Sequence, residues 1–239
     1  MEKILERTWA EIDLDALAHN YHVLRERAGR EAKFLAVVKA DAYGHGAVRV
    51  ARKLETLGAE YLGVSNLEEA QELRANGIQT PILLLGYTPA EMTEALIRDN
   101  VTQDVPSLSA ARAYAREATA IGKTLRVHLK LDSGMGRLGF QCDEAHFDES
   151  LREILEALTL LGLDFEGVFM HFCVSDEPEK PESRAFTLTQ HDRFVRMVEE
   201  VERRWGKQFS IHHCCNSGGV AYYPEFAWDL CRPGVVLYG

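Results

Sequence analysis

The sequence predicts an α/β protein built as a (β/α)8 barrel, and three observations carry the prediction. Eight short apolar runs recur along the 239 residues. Nearly all of them are separated by stretches of helical length and helical period. The first run is followed by "KADAYGHG", which is not the G-x-G-x-x-G turn that a doubly wound nucleotide-binding sheet places there. Apolar strands alternating with amphipathic helices imply a parallel sheet covered by helices, and eight such units in roughly 200 residues close into a barrel.

The elements follow in order. "FLAVVK" (34–39) is a strand, followed by the helical pattern "VRVARKLETLG". "YLGVS" (61–65) precedes "LEEAQELRANG", with Gly77 placed as its C-terminal cap. "ILLLG" (82–86) precedes "PAEMTEALIRDN", with Pro89 suited to a first helical turn. "VTQDV" leads to "LSAARAYAREATAIG", and "LRVHLKL" (125–131) to "DESLREILEALTLLG". "EGVFMHF" (166–172) is followed by the polar loop "SDEPEKPES" (175–183) and a long helix ending "VERRWG". "FSIHHCC" (209–215) runs into "NSGGVAYY", and "WDLCR" (228–232) is the eighth strand, before "PGVVLYG". At the N-terminus, "RTWAEIDLD" (7–15) reads as an extra strand with no partner inside a barrel. The sequence ends within a turn of the eighth strand, so the eighth helix is expected to be missing and the chain to be one barrel domain, residues 1–239, of something longer.

Composition narrows the function. With 46% hydrophobic and 27% charged residues the chain has material for a large core. A formal net charge of −10 disfavours phosphate backbones and anionic lipid as partners. No apolar run approaches the ~20 residues needed to span a bilayer, and "MEKILERTWAEIDLDAL" has no signal core, so the cytoplasm is expected. Five cysteines without framework spacing suit a reducing compartment and buried packing roles.

Active residues of such barrels stand at the C-terminal ends of the strands. Read in order, those ends offer Lys39, Ser65, Gly86, Lys130 with Asp132 and Arg137, His171, Asn216 with Ser217, and Arg232 with Gly234. Lys39 ends an apolar strand. Burial disfavours the ammonium form and frees an amine as nucleophile or base, although a lysine can also snorkel to the rim. The loop behind it supplies Tyr43, His45 and glycines that permit close backbone approach. In "LKLDSGMGRLGF" two cations, Lys130 and Arg137, meet across a Gly-rich turn. A bound anion or a carbamylated lysine would relieve their repulsion; so would Asp132. "HHCC" does not read as a metal site, because adjacent strand residues point to opposite faces, and no metal is expected. Ser217 with its following glycines, and the backbone after Arg232, can hold a phosphate at a helix start.

These stretches resemble the alanine racemase family, whose N-terminal domain is a (β/α)8 barrel that binds pyridoxal 5′-phosphate. "AVVKADAYGHG" is the most specific element, and "LKLDSGMGRLG", "MHF", "NS" and "RPGVVLYG" follow in the family's order. The resemblance implies that Lys39 forms the Schiff base and is the base on one face of the substrate. It implies that Tyr43, Ser217, Gly234 and Val235 contact the phosphate, with Asn216 beside them. It makes Lys130 a carbamylated lysine holding Arg137 toward the cofactor, His171 a neighbour of the ring, and Arg232 the partner of the ring nitrogen. Lys39, Arg137 and His171 are thereby the catalytic set. The implied reaction interconverts L- and D-alanine for cell-wall peptidoglycan. The second base is a tyrosine from a C-terminal β domain of the other subunit of a homodimer, with which the strand at 7–15 pairs. The isolated chain is then expected to bind cofactor but racemise poorly. Single-barrel pyridoxal-phosphate proteins of cofactor homeostasis are the alternative. Cys215 before Asn216 and Met170 before His171 depart from the family's usual residues.

Overall fold

The computed structural model describes residues 8–29 and 31–239. Eight parallel strands form the wall of a barrel: β1 Lys33–Val37, β2 Tyr61–Val64, β3 Ile82–Leu84, β4 Val101–Val105, β5 Leu125–Asp132, β6 Leu163–Phe169, β7 Ile211–His213 and β8 Leu230–Cys231. Ladders join them in sequence from β1 to β7, and β8 returns to pair with β1 through Lys33↔Leu230 and Phe34↔Cys231. The seam between β7 and β8 is closed by two backbone bonds, Asp229 N to His212 O at 3.1 Å and Arg232 N to Cys215 O at 2.9 Å. A two-residue strand, Phe140–Gln141, extends β5 at its end.

The strands are apolar on both faces, as burial on both sides requires. Leu35, Val37, Tyr61, Leu83, Ile211 and Leu230 fill the barrel interior. The intervening residues pack outward against the helices: Phe34, Ala36, Leu62, Leu84 and Val127 belong to that second layer. The helices are α1 Leu14–Ala28, α2 Ala47–Leu57, α3 Leu67–Ala75, α4 Thr93–Arg98, α5 Leu108–Ala120, α6 Phe147–Ala157, α7 Pro181–Trp205 and α8 Ser217–Tyr222. Their starts follow local chemistry. Asn66 caps α3 through the Glu69 N–H at 2.9 Å, and Ser107 caps α5 through the Ala110 N–H at 3.2 Å. Gly77, at φ +82°, follows the end of α3 in the conformation a C-terminal cap demands.

Three expectations are corrected. No strand forms at the N-terminus among the described residues: 8–13 is irregular, and the Asp13 carboxylate caps α1 by accepting from the N–H groups of Asp15 (2.8 Å) and Ala16 (3.0 Å). Arg7 lies outside the described residues. As expected, no α-helix follows β8 among the described residues, and α1 packs in that place. It packs Tyr21 on Phe34 with ring centroids 4.7 Å apart, and its Arg27 Nε donates to Ala221 O (2.7 Å) in α8. Lys39 is not in a strand, because β1 ends at Val37 and the chain turns sharply at Lys39. Strand β6 also starts earlier than its apolar run, at Leu163, and stops before Met170.

One packing detail matters for the site. Pairing of β5 with β6 shifts register between Val127 and His128, and His128 then lies opposite Gly167. A Cβ on Gly167 would stand 2.7 Å from the His128 ring. Glycine here makes room for a buried imidazole. Gly167→Ala is expected to lower stability by about 1–3 kcal/mol through overpacking, read as a lower urea midpoint at unchanged slope.

Candidate active site

The C-terminal mouth of the barrel encloses a cavity of about 450 Å³. Of the residues singled out from the sequence, His45, Ser65, Gly86 and Asp132 do not line it, and ten do: Lys39, Tyr43, Lys130, Arg137, His171, Asn216, Ser217, Arg232, Gly234 and Val235. Four of these are cationic, and among the described residues Asp176 is the one carboxylate in the lining. The cavity therefore favours an anion.

The two lysines are differently placed. Lys39 is only half-buried at the rim, whereas Lys130 is 4% exposed. The desolvation expected of Lys39 thus falls on Lys130, which burial, reinforced by the charge of Arg232, pushes down to about 7. The Lys130 Nζ donates to Leu131 O at 2.8 Å and lies 5.1 Å from the Phe169 ring centroid. Asp132 does not pair with either cation. Its Oδ1 accepts from the N–H groups of Gly134 (3.0 Å) and Gly136 (3.1 Å), which shapes the loop that carries Arg137.

Lys39 opens a turn of unusual hand. Ala40, Asp41, Ala42 and Tyr43 all have φ between +52° and +55°, a left-handed run of non-glycine residues. Each costs on the order of 1–2 kcal/mol relative to the right-handed form. The turn brings Tyr43 over the loop after β8. A Cβ on Gly234 would stand 2.7 Å from the Tyr43 hydroxyl, so glycine is what allows that approach. Ser217 Oγ accepts from the Gly234 N–H at 2.9 Å, which leaves its own proton for a ligand. The first N–H groups of α8 and of the 3₁₀ turn Val235–Leu237 have no intrahelical acceptor. Hydroxyls and helix-start N–H groups from three loops thus converge as a phosphate cradle would.

Arg232 sits beneath, 3% exposed. Its Nη2 donates to Met170 O (2.6 Å) and Cys214 O (3.2 Å), and its Nη1 to His213 Nδ1 (2.8 Å). No protein acceptor takes its Nε among the described residues. Burial lowers it to about 10, so it stays cationic at neutral pH. Because Nη1 donates to His213 Nδ1, the His213 proton is on Nε2 and points to His128 Nδ1 at 2.8 Å. His128 then carries its proton on Nε2, facing Glu166 Oε2 at 3.3 Å. One polarised chain of donors runs from the mouth to a carboxylate within the barrel wall. Burial holds both histidines below their ordinary range. His171 is pushed to about 2 by burial and by the charges of Arg232, Lys130, Arg137 and Lys39. It accepts from Asn216 Nδ2 (3.3 Å), so its proton is on Nδ1.

Sequence reading did not find this relay, nor Ser175, whose Oγ donates to Asn216 Oδ1 at 2.9 Å. The doublet "HH" held the signal for His213. Its neighbour His212 points the other way, to Glu202 Oε1 and Asp229 Oδ2, each at 2.7 Å.

The fold and the mouth together define an α/β-barrel protein suited to an anionic, phosphate-bearing ligand. The family model described as alanine racemase, N-terminal domain, matches residues 12–239. The alanine racemase of Desulforamulus reducens is 44% identical over 234 residues, 98% of this chain and 61% of that protein. The solved alanine racemase of Clostridium difficile 630 in complex with cycloserine superposes with a TM-score of 0.91 at 40% identity, over 99% of this chain and 63% of that one. The histidine racemase of Leuconostoc mesenteroides superposes with a TM-score of 0.80 at 27% identity, over 95% of this chain and 58% of that one. The chain belongs to the alanine racemase family, whose members are pyridoxal-phosphate-dependent isomerases. It spans about three fifths of the length of the curated relatives it matches. No helix among the described residues is long and apolar enough to cross a membrane.

The tautomers and their pH dependence can be checked together. Imidazole ¹⁵N shifts should report Nε2–H at His128 and His213 and Nδ1–H at His171, each protonating at lower pH than a free imidazole. Each folded-state value lies below that of the unfolded chain, so the unfolded chain takes up these protons first as pH falls. Their contribution to stability is present above about pH 6.5 and is lost progressively as pH falls below it, measurable as a falling urea midpoint.

Proposed function

We propose that this chain is the cofactor-binding barrel of a pyridoxal-phosphate-dependent racemase that interconverts L- and D-alanine in the cytoplasm, for use in cell-wall peptidoglycan. The observation that carries the proposal is the convergence of Lys39, the Tyr43–Ser217–Gly234 cradle and Arg232 on one cavity. The cradle fits a phosphate, since its hydroxyls and N–H groups are donors and the cavity is cationic. The free Arg232 Nε fits a ring nitrogen.

When bound, pyridoxal phosphate supplies a carbonyl carbon that joins an amine and a conjugated ring that stabilises charge on the neighbouring carbon. The remaining work falls to the protein. Tyr43, Ser217 and the backbone at Gly234 and Val235 hold the phosphate, the Gly234 N–H acting through the serine it bonds. Lys39 Nζ would anchor the cofactor and, once displaced by the substrate amine and so freed, would take or return the substrate α-proton on its own face. Arg232 keeps its proton, so toward a ring nitrogen it would act only as a donor and would leave that nitrogen unprotonated. His171, neutral with its proton on Nδ1, lies beside the ring and adds no charge. Following the family resemblance, we place the base for the opposite face on a tyrosine of a C-terminal domain from the partner subunit of a homodimer.

The test uses the 239-residue polypeptide. Reconstitution with pyridoxal phosphate is expected to give a borohydride-sensitive visible absorbance that is absent in Lys39→Ala. In deuterated water, one enantiomer of alanine should gain α-deuterium faster than the enantiomers interconvert. Interconversion keeping pace with deuterium uptake would place both bases within this polypeptide. Cofactor capture without deuterium uptake from any amino acid would favour the homeostasis reading.

Lys130 and Arg137 carry a linked proposal. The neutral Lys130 amine adds carbon dioxide, releases a proton and becomes a carbamate, whose charge steadies Arg137. Since the amine loses its proton near pH 7, ¹³C-bicarbonate should give a lysine carbamate signal that grows above about pH 7 and is absent in Lys130→Ala.

A further inference from the structure

We propose that Glu69 is a positioning residue, its carboxylate clamping the left-handed turn behind Lys39 and thereby fixing where the Lys39 amine stands. The inference rests on the role proposed above for Lys39. A run of left-handed residues persists only where its surroundings over-determine it. The bonds inside the turn are local: Ala42 N to Val38 O (2.9 Å), Gly46 N to Asp41 O (3.0 Å) and Ala47 N to Asp41 Oδ1 (2.6 Å). Two side chains hold it from outside. Tyr238 packs against the rings of Tyr43 and His45, with centroids 5.2 Å and 4.8 Å away, and its hydroxyl donates to Val37 O at 2.8 Å. It thus grips the far end of the turn.

Glu69 grips the near end. Its Oε1 accepts from the N–H of Ala40, the residue after Lys39, at 2.8 Å. Its Oε2 accepts from the N–H of Ser65 (2.8 Å) and from Ser65 Oγ (2.9 Å). Ser65 follows β2, and β2 already holds the other side of Lys39 through Val38 N to Gly63 O at 2.8 Å. Lys39 is therefore bracketed by two backbone anchors that both lead to the end of one strand. The carboxylate is itself fixed, because Glu69 sits in the capped first turn of α3. Both backbone groups facing it are N–H donors, so an acceptor-only carboxylate suits the place. An amide would aim its NH₂ at one of them.

Glu69→Gln is nearly isosteric and tests the clamp. In the cofactor-free chain, amide hydrogen exchange at Ala40–Tyr43 should speed up about tenfold or more while core strands keep their protection. Covalent capture of pyridoxal phosphate by Lys39, trapped with borohydride, should slow about tenfold. Adding Ala40→Gly, which makes the left-handed conformation easy at φ +52°, should restore much of the capture rate without restoring the Glu69 bond. A loss caused by general destabilisation would not be rescued that way. Ser65→Ala, which removes one of the three bonds and leaves the backbone intact, should give a smaller effect of the same kind, and it serves if Glu69→Gln folds poorly. Unchanged exchange and capture in Glu69→Gln, or in Ser65→Ala should that be the variant that folds, overturns the clamp. Absence of capture by the unsubstituted chain overturns instead the role given to Lys39, and exchange at the turn still decides on Glu69.

Discussion

The barrel and its mouth both depend on the buried guanidinium of Arg232. Among the described residues, the seam between β7 and β8 is bridged by a pair of backbone bonds at the strand ends, one of them the Arg232 N–H to Cys215 O. The side chain of the same residue spans the seam again, bonding Met170 O after β6 and Cys214 O after β7. A lone buried cation costs several kcal/mol unless its donors are well used. Here two carbonyls and an imidazole use them, and the counter-charge arrives through His213 and His128 from Glu166. Because arginine does not surrender its proton, the relay has one direction and the tautomers follow from it. The group that closes the barrel is also the one that presents a fixed positive N–H to the cavity.

Charge at the mouth is balanced by placement rather than by pairing. Arg137 and Lys130 make no salt bridge to Asp132, whose carboxylate is spent on backbone N–H groups. The cations come from three places around the mouth, Lys39 after β1, Lys130 and Arg137 on β5 and its loop, and Arg232 after β8, and the histidine among them is held neutral. An anionic ligand therefore meets four cationic side chains in a lining that holds a single carboxylate, Asp176, among the described residues. Lys130, the enclosed lysine, becomes the one whose proton is easily lost. Lys39, at the open rim, is the one a ligand can reach.

Much of the fold was legible because its signals are local. Apolar strands and amphipathic helices alternate, and the barrel is the closed form of that alternation. The candidate cavity was legible for the same reason, since strand ends are fixed by strand order. What could not be read depends on contacts distant in sequence. His128 and His213 are 85 positions apart and meet only across the barrel interior. α1 fills the seat of an eighth helix, which no periodicity reveals. "RTWAEIDLD" has the alternation of a strand, yet Asp13 and Asp15 are followed by an amphipathic run that wins as a helix once Asp13 caps it. Ala40 and Asp41 carry no sign of left-handed geometry, because side-chain identity barely favours it and tertiary contacts impose it.

That left-handed turn is the opposite design from the relay. The relay is satisfied group by group, and its cost lies in burying charge. The turn stores backbone strain, and its stability is borrowed from Glu69 and Tyr238. The strain has a geometric return. Lys39 and Tyr43 are four residues apart, and a left-handed turn carries Tyr43 back over Gly234 while Lys39 stays at the end of β1. A right-handed turn of equal length winds the other way and would separate the two. One short segment can present both an amine and a hydroxyl to a single cavity only if the chain accepts this strain. The clamp at its near end then follows as a requirement, since a strained turn left unheld would relax and take the amine with it.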